Sequence, residues 1–132
     1  MHRTAQCACG AATITVAGEP SIYGVCHCVN CKRRTGSAFG MSSYFKKDEV
    51  IATAGETKVY AFRSARGHDQ ERHFCSKCGT TLYWYSSALP ELVGIAAGCF
   101  GEDLPWEPKL SVTHSKKYGW VHLPETWRMV QD

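Results

Sequence analysis

Short runs of alternating apolar and polar residues recur along the chain, and turn-forming glycines, prolines and serines separate them. Alternate side chains of a strand point to opposite faces of a sheet, so each run predicts a short β-strand. In residues 13–16 two threonines alternate with Ile14 and Val16, ahead of a turn at residues 18–20. The other predicted strands are residues 21–25, 39–45, 57–62, 71–74, 80–85, 92–97 and 110–114.

Helical periodicity is nearly absent from the chain. The one predicted helical turn covers residues 28–35 and ends at Gly36, a residue type that commonly follows a helix. No composition shift, repeat or linker divides the sequence. We therefore predict one mainly β domain over residues 1–132, built from short antiparallel strands.

Composition narrows the class of protein. The 132 residues are 44% hydrophobic and 20% charged, which is typical of a globular domain and not of a disordered tail. No run of 18 apolar residues predicts a membrane span, and residues 1–7 lack the apolar core of a signal peptide. The expected compartment is the cytoplasm, where thiols stay reduced.

Eight cysteines in a reducing compartment favour metal binding over disulfides. Seven of them fall into three tight groups with the spacings C-x-C, C-x-C-x-x-C and C-x-x-C, which scattered core cysteines would not show. The formal net charge of +3 counts every thiol as neutral. Seven thiolates on two zinc ions would cancel it, so the basic balance is weak evidence for a nucleic-acid partner.

Two of the groups predict a structural zinc site. Cys75 and Cys78 form a knuckle, and the Gly79 that follows allows the positive φ that such a turn often needs. Cys7 and Cys9 form a second pair, although two core cysteines on one strand face would look the same. Together the pairs complete a four-thiolate set, which closes a tetrahedral site.

The third group, Cys26, Cys28 and Cys31, supplies three thiolates within six residues. Three protein ligands leave a zinc position open for water or substrate, as in catalytic sites. The alternative is a second closed site with Cys99, His73 or His27 as the fourth ligand. His27 lies between two ligands and is expected to point away from their metal, so Cys99 is the better candidate.

A basic and polar stretch follows the third group. The positive charges at positions 32–34 either balance the thiolates or hold the carboxylates of an anionic ligand, since guanidinium pairs well with carboxylate. The next residues offer hydroxyl and backbone N–H groups at the end of the predicted helical turn. The candidate ligand-binding residues are Arg33, Arg34, Thr35, Gly36 and Ser37.

Four motifs occur in a specific order: C-x-C-G, C-H-C-x-x-C-K-R-R-T-G-S-A-F, G-E-x-K-V-Y-x-F and F-C-x-x-C-G-T. From Cys7 to about Trp120 the chain resembles the glutathione-dependent formaldehyde-activating enzyme family, also called the centromere protein V family. The resemblance implies a β-tent, Mss4-like fold with two zinc ions. The structural zinc would match Cys7, Cys9, Cys75 and Cys78, and the catalytic zinc would match Cys26, Cys28 and Cys31.

The resemblance also implies a reaction, the condensation of glutathione with formaldehyde to S-hydroxymethylglutathione, whose reverse is a carbon–sulfur lyase reaction. The implied partners are glutathione, or a glutathione adduct, and a small electrophile. The chain departs from the family at residues 98–101, where Gly-Cys-Phe-Gly stands in place of a common Gly-Thr-Leu-Asp. That departure leaves the substrate open.

Two function classes therefore remain. The first is a zinc enzyme acting on a glutathione adduct, with His27 or His73 as a proton shuttle. The second is a non-catalytic, zinc-stabilised module that binds a protein. A nucleic-acid module is not expected, because positions 32–34 carry the only long basic run. The tryptophans Trp84, Trp106, Trp120 and Trp127 are predicted to serve packing rather than docking.

Overall fold

The computed structural model describes residues 1–132 and contains eleven β-strands, one α-helix and three 3₁₀ turns. The strands are β1 (His2–Gln6), β2 (Thr13–Ala17), β3 (Ile22–Cys26), β4 (Gly40–Lys46), β5 (Val50–Ala54), β6 (Thr57–Arg63), β7 (Asp69–Cys75), β8 (Thr81–Ser86), β9 (Leu92–Ala96), β10 (Leu110–Val112) and β11 (Arg128–Met129). The helix α1 spans Val29–Thr35, and the 3₁₀ turns span Lys47–Glu49, Ala97–Phe100 and His114–Lys116. No helix is long and apolar enough to cross a bilayer.

The strands form two sheets. The smaller has the order β1-β2-β5 and the larger the order β11-β10-β3-β4-β9-β8-β7-β6. Most neighbours are antiparallel, as predicted, but β10 runs parallel to both β3 and β11. The long segment after β9 carries the chain back to the free edge of β3, where β10 pairs with it, and a second connection after β10 returns the chain so that β11 pairs with the outer edge of β10. The mainly β prediction is confirmed.

Side chains from both sheets share one core. Ala5 and Ile14 come from the small sheet and Phe45, Leu82 and Ile95 from the large one, and all five have no exposed surface. In β2 the alternation read from the sequence is observed directly, with Ile14 and Val16 buried between partly buried neighbours. The core holds the sheets together, and Cys7 and Cys75 are part of it.

Most predicted elements are present with shifts of a few residues. The helical turn predicted over residues 28–35 is α1, and Gly36 ends it in the left-handed conformation with φ 60°. The strand predicted over residues 110–114 stops at Val112, because Thr113 also has a positive φ of 50° and a 3₁₀ turn begins at His114.

The packing role predicted for the tryptophans holds for three of the four. Trp84 is buried and Trp106 and Trp127 are partly buried. The prediction is wrong for Trp120, which is 71% exposed and stacks on Tyr118 in the loop after β10.

Candidate metal centres and the adjoining cavities

The first centre is the four-cysteine cluster (Cys7, Cys9, Cys75, Cys78). Its four sulfurs lie within 4.8 Å of one another. The Sγ of Cys9 is 3.7 Å from the Sγ atoms of both Cys7 and Cys75. A tetrahedral zinc ion with Zn–S bonds of about 2.3 Å places its sulfurs about 3.8 Å apart. The donor set and the spacing therefore both fit zinc.

Two similar turns build this cluster. In the turn after β1 the N–H of Cys7 donates to the carbonyl of Ala12, and in the β7–β8 turn the N–H of Cys75 donates to the carbonyl of Thr80. The N–H of Ala8 donates to Thr80 Oγ1 at 3.1 Å and ties the turns together. Gly79 has φ 79°, as predicted for the residue after the knuckle. The cluster thus joins residues that are about seventy positions apart in the chain.

Hydrogen bonds favour the thiolate form at two positions of the cluster. The N–H of Ala12 donates to the sulfur of Cys7 at 3.2 Å and lowers the pKa of that thiol. The hydroxyl and the backbone N–H of Thr80 lower the pKa of Cys78 to about 5. Because metal ligands must be deprotonated, these bonds prepare the cluster to bind a cation.

The second centre is the cysteine trio (Cys26, Cys28, Cys31), whose three sulfurs also lie within 4.8 Å of one another. Cys26 is the last residue of β3, Cys28 caps α1 and Cys31 lies in its first turn. The N–H of Cys31 donates to the sulfur of Cys28 at 3.3 Å. Local structure alone therefore brings these ligands together, unlike those of the four-cysteine cluster.

The thiols of the trio do not ionise alike. Hydrogen bonds from Cys26 and Cys31 lower the pKa of Cys28 to about 2. Hydrogen bonding to Cys28 raises the pKa of Cys26, and hydrogen bonding to Cys26 and Cys28 raises that of Cys31. One thiolate in the trio is therefore favoured, and ionisation of the other two thiols is opposed. A bound divalent cation would remove that opposition, because its charge stabilises all three thiolates. The trio therefore fits a zinc ion.

The ligand atoms of Cys99, His73 and His27 do not lie close enough to the three sulfurs of the trio to join them in one metal site. Cys99 lies elsewhere: burial and the nearby charge of Cys7 raise its pKa, and it lines a groove with Gly79 and Thr80. Thr113 Oγ1 is 4.0 Å from the sulfur of Cys26. The protein thus offers this centre three thiolates and no fourth cysteine or histidine.

His27 is fully buried, in agreement with the expectation that it points away from the metal of its neighbours. Its Nε2 lies 3.0 Å from Ser111 Oγ, which lies 2.8 Å from Nδ1 of His114. The His73 ring stacks on Tyr83 with centroids 4.6 Å apart. Burial lowers the pKa of both His27 and His73. Neither histidine lines the cavities that adjoin the trio.

The basic residues after the trio have different surroundings. Lys32 Nζ donates to the carbonyl of Lys116 and lies 3.9 Å from the ring centroid of Tyr118. Arg33 is exposed. The guanidinium of Arg34 lies 4.5 Å from the ring centroid of Trp84. Only Arg34 of the three faces the interior of the molecule.

A groove of about 390 Å³ runs from the end of α1 to the knuckle of the four-cysteine cluster. Three of the predicted ligand-binding residues, Arg34, Thr35 and Ser37, line one side of it. Gly36, like Arg33, is exposed and does not line the groove. The volume lies within the roughly 300–1,000 Å³ of pockets that hold small molecules.

Two smaller cavities, each of about 140 Å³, meet at the trio. One is mostly apolar and contacts Cys26 and Cys31. The other, here called the polar cavity, contacts Cys31 and contains side chains that the sequence did not identify as ligand-binding residues. Those side chains are Tyr44, Gln70, Arg72 and Trp84. They come from β4, β7 and β8, so only the order of strands in the sheet could have identified them.

The family model described as glutathione-dependent formaldehyde-activating enzyme matches residues 2–116 of this chain. The chain belongs to the glutathione-dependent formaldehyde-activating enzyme family. The matched segment contains the four-cysteine cluster, the cysteine trio and Arg34, and it ends just before the exposed aromatic pair of Tyr118 and Trp120.

Two relatives agree with this membership. A protein of Halomonas elongata, provisionally named as a glutathione-dependent formaldehyde-activating enzyme, is 29% identical over an alignment of 123 residues that covers 89% of this chain and 78% of that one. A protein of Fusarium vanettenii with the same provisional name is 30% identical over 78 residues, which are 59% of this chain and 41% of that one.

A crystal structure of a Rhodobacter sphaeroides protein is similar to this fold. It aligns with a TM-score of 0.59 and 21% identity, and the match covers 77% of this chain and 91% of that one. At this identity the similarity supports the fold and carries no information about the reaction.

Proposed function

We propose that this protein is a zinc-dependent enzyme of the carbon–sulfur lyase type that adds the thiol of glutathione to formaldehyde and yields S-hydroxymethylglutathione. One observation carries the proposal. In a chain of this family, the cysteine trio offers three thiolates to a metal, and no fourth cysteine or histidine joins them. Three protein ligands with one open position are typical of a catalytic zinc site.

The chemistry asks little of the protein beyond holding the thiol. A carbon–sulfur bond forms between the glutathione sulfur and the formaldehyde carbon, and the thiol proton ends on the former carbonyl oxygen. A zinc ion on the trio would favour the thiolate of an incoming thiol. Cys26, Cys28 and Cys31 would hold that ion, and the ligand would be oriented by the residues around it.

The four-cysteine cluster takes the structural role. Its ligands come from two distant turns, and four thiolates leave no position for a substrate. With the trio it accounts for two zinc ions per chain. Clustered cysteines that bind metal instead of forming disulfides are typical of a reducing compartment, so we expect the enzyme to act in the cytoplasm.

The groove beside α1 is the proposed binding place for the body of glutathione. Arg34, Thr35 and Ser37 line it, and Arg34 supplies the positive charge that a carboxylate needs. Arg33 and Gly36, both exposed on the same segment, complete the predicted glutathione-binding stretch. We do not propose His27 or His73 as the proton shuttle, because neither side chain lines a cavity at the trio.

The proposal is tested by replacing the metal with cobalt and adding glutathione. We expect the cobalt–thiolate absorption to change, because a further sulfur enters the coordination sphere, and we expect the variant Cys28→Ser to lose that change. With formaldehyde added, NMR should show S-hydroxymethylglutathione forming faster than in buffer alone. An unchanged spectrum together with the uncatalysed rate would overturn the proposal.

A second candidate is a zinc-stabilised protein-binding module. The exposed Trp120, stacked on Tyr118 with centroids 6.0 Å apart, favours it, because exposed aromatic residues are common in interfaces. The cobalt experiment separates the two candidates. A binding module would retain both metals and would not respond to glutathione.

A further inference from the structure

The polar cavity beside the trio contains two guanidinium groups and no carboxylate. Arg34 reaches it from α1 and Arg72 from β7, and the rest of its lining is neutral apart from Cys31 and Tyr44. The two ion pairs of the molecule, Arg3–Asp103 and Arg63–Asp69, use other arginines. The cavity therefore carries positive charge that no acidic side chain offsets.

The two guanidiniums are also unusually poor in hydrogen bonds. Each guanidinium has five N–H donors, yet neither the Arg34 nor the Arg72 guanidinium donates to any protein atom. Nη2 of Arg34 is fully buried and has no partner. Their only close neighbours of note are rings: Trp84 at 4.5 Å from Arg34 and Phe62 at 4.8 Å from Arg72. The buried donor of Arg34 costs free energy until an acceptor arrives.

The thiolates of the trio do not remove this need. Cys31 lines the cavity, and a thiolate on the trio would attract both guanidiniums, but no cysteine sulfur accepts a hydrogen bond from either of them. Attraction to the thiolates can balance the charge of the guanidiniums, but it leaves their N–H groups without hydrogen-bond acceptors. A planar oxyanion can do both, because it accepts parallel hydrogen bonds from a guanidinium fork.

The size of the cavity limits the acceptor to one functional group. Its volume of about 140 Å³ is well below the roughly 300 Å³ at which small-molecule pockets begin. Arg34 also lines the groove of about 390 Å³. A ligand whose bulk lies in the groove can therefore extend one arm past Arg34 towards Arg72.

We propose that Arg34 and Arg72 form a carboxylate-binding subsite of the centre on the cysteine trio. The subsite rests on the proposed function in one respect, since the carboxylate is taken to belong to a molecule that reacts at the trio. That molecule is either the thiol itself or a carboxylated aldehyde that replaces formaldehyde as the electrophile. Because the chain departs from the family at residues 98–101, its electrophile need not be formaldehyde, and a carboxylated aldehyde is a candidate source of the carboxylate.

The test measures binding by calorimetry to the zinc-loaded protein and to its variants Arg72→Gln and Arg34→Gln. The probes are glutathione, glutathione diethyl ester, glyoxylate and 2-mercaptoethanol. The control is Arg66→Gln, which removes the same charge from an exposed turn. Arg72→Lys retains the charge and loses the fork, and circular dichroism of every variant checks folding.

We expect Arg72→Gln to weaken the binding of one carboxylated probe by about tenfold to a hundredfold, the equivalent of losing a charge-assisted hydrogen bond. A loss for glutathione but not for its diester identifies the thiol as the source, and a loss for glyoxylate identifies the electrophile. Arg72→Lys should fall between Arg72→Gln and the native protein, and Arg66→Gln should match the native protein.

Two results would overturn the subsite. One is unchanged binding of both glutathione and glyoxylate in Arg72→Gln and Arg34→Gln. The other is an equal loss for 2-mercaptoethanol, which has no carboxylate, because the arginines would then act only on the thiolates. Failure of the proposed function looks different: glutathione or glyoxylate would still bind through the arginines, but no S-hydroxymethylglutathione would form above the uncatalysed rate.

Discussion

The two cysteine centres differ in how the chain reaches them. The four-cysteine cluster joins the turn after β1 to the β7–β8 turn, and its ligands run from position 7 to position 78. The cysteine trio uses six consecutive positions at the junction of β3 and α1. A metal in the first centre closes a long loop and restricts the unfolded chain. A metal in the second centre closes a loop of only a few residues and restricts the unfolded chain very little.

On the proposed function, this difference separates a centre that stabilises the fold from a centre that reacts. Closing a long loop removes more conformational entropy from the unfolded state than closing a short one. The long-range centre is also the one with four thiolates, so nothing is left to exchange. The short-range centre has three thiolates and two adjoining cavities, so it can change ligands without opening the fold.

The comparison predicts its largest effect for serine substitutions. We expect Cys78→Ser to prevent folding, because metal binding in small zinc domains is worth on the order of 10 kcal/mol and whole domains are stable by about 5–15 kcal/mol. The matched variant Cys28→Ser should remain folded. Circular dichroism and thermal unfolding of the two purified variants measure the difference. Similar melting of Cys78→Ser and the native protein would refute the structural role of the four-cysteine cluster.

A chelator should produce a smaller effect, the loss of one metal without loss of the fold. We expect mild chelation to remove about one zinc ion per chain, because a three-thiolate site has an exchangeable position and a four-thiolate site does not. Metal analysis and the β-sheet signal in circular dichroism are followed together. Simultaneous loss of both ions with unfolding would show that the two centres are equivalent.

The smallest effect is expected at Cys99. Its sulfur belongs to neither centre, so Cys99→Ser should leave the zinc content and the cobalt response to glutathione as they are in the native protein. The melting temperature should also change little, because the side chain is only partly buried. If Cys99→Ser loses one zinc ion, the trio is closed by this residue and the contrast between the centres disappears.

The sequence predicted the cysteine groups well because their information is local. Short spacing in the sequence brings the sulfurs of Cys26, Cys28 and Cys31 together, and the C-x-x-C spacing does the same for Cys75 and Cys78. Three strands were not predicted: β1, β5 and β11. In β1 only Ala5 is buried, and β5 is largely exposed, so alternation gives a weak signal. The two-residue β11 exists through its pairing with β10.

Arg72 shows the other limit of sequence reasoning. It lies 38 positions after Arg34, on a strand whose place in the sheet is four strands from β3. Nothing in its local sequence distinguishes it from Arg63 or Arg66. The packing of α1 against β4, and the order β4-β9-β8-β7, bring its guanidinium to the trio.

The parallel pairing of β3 with β10 has a consequence for the order in which the molecule can be completed during synthesis. The residues of the four-cysteine cluster have all left the ribosome once position 78 has emerged. Val112, the partner of Cys26 in the sheet, follows 34 positions later. During that interval the outer edge of β3 is unpaired, next to three clustered thiols. An early metal ion on the trio would keep those thiols from reacting until β10 covers the edge.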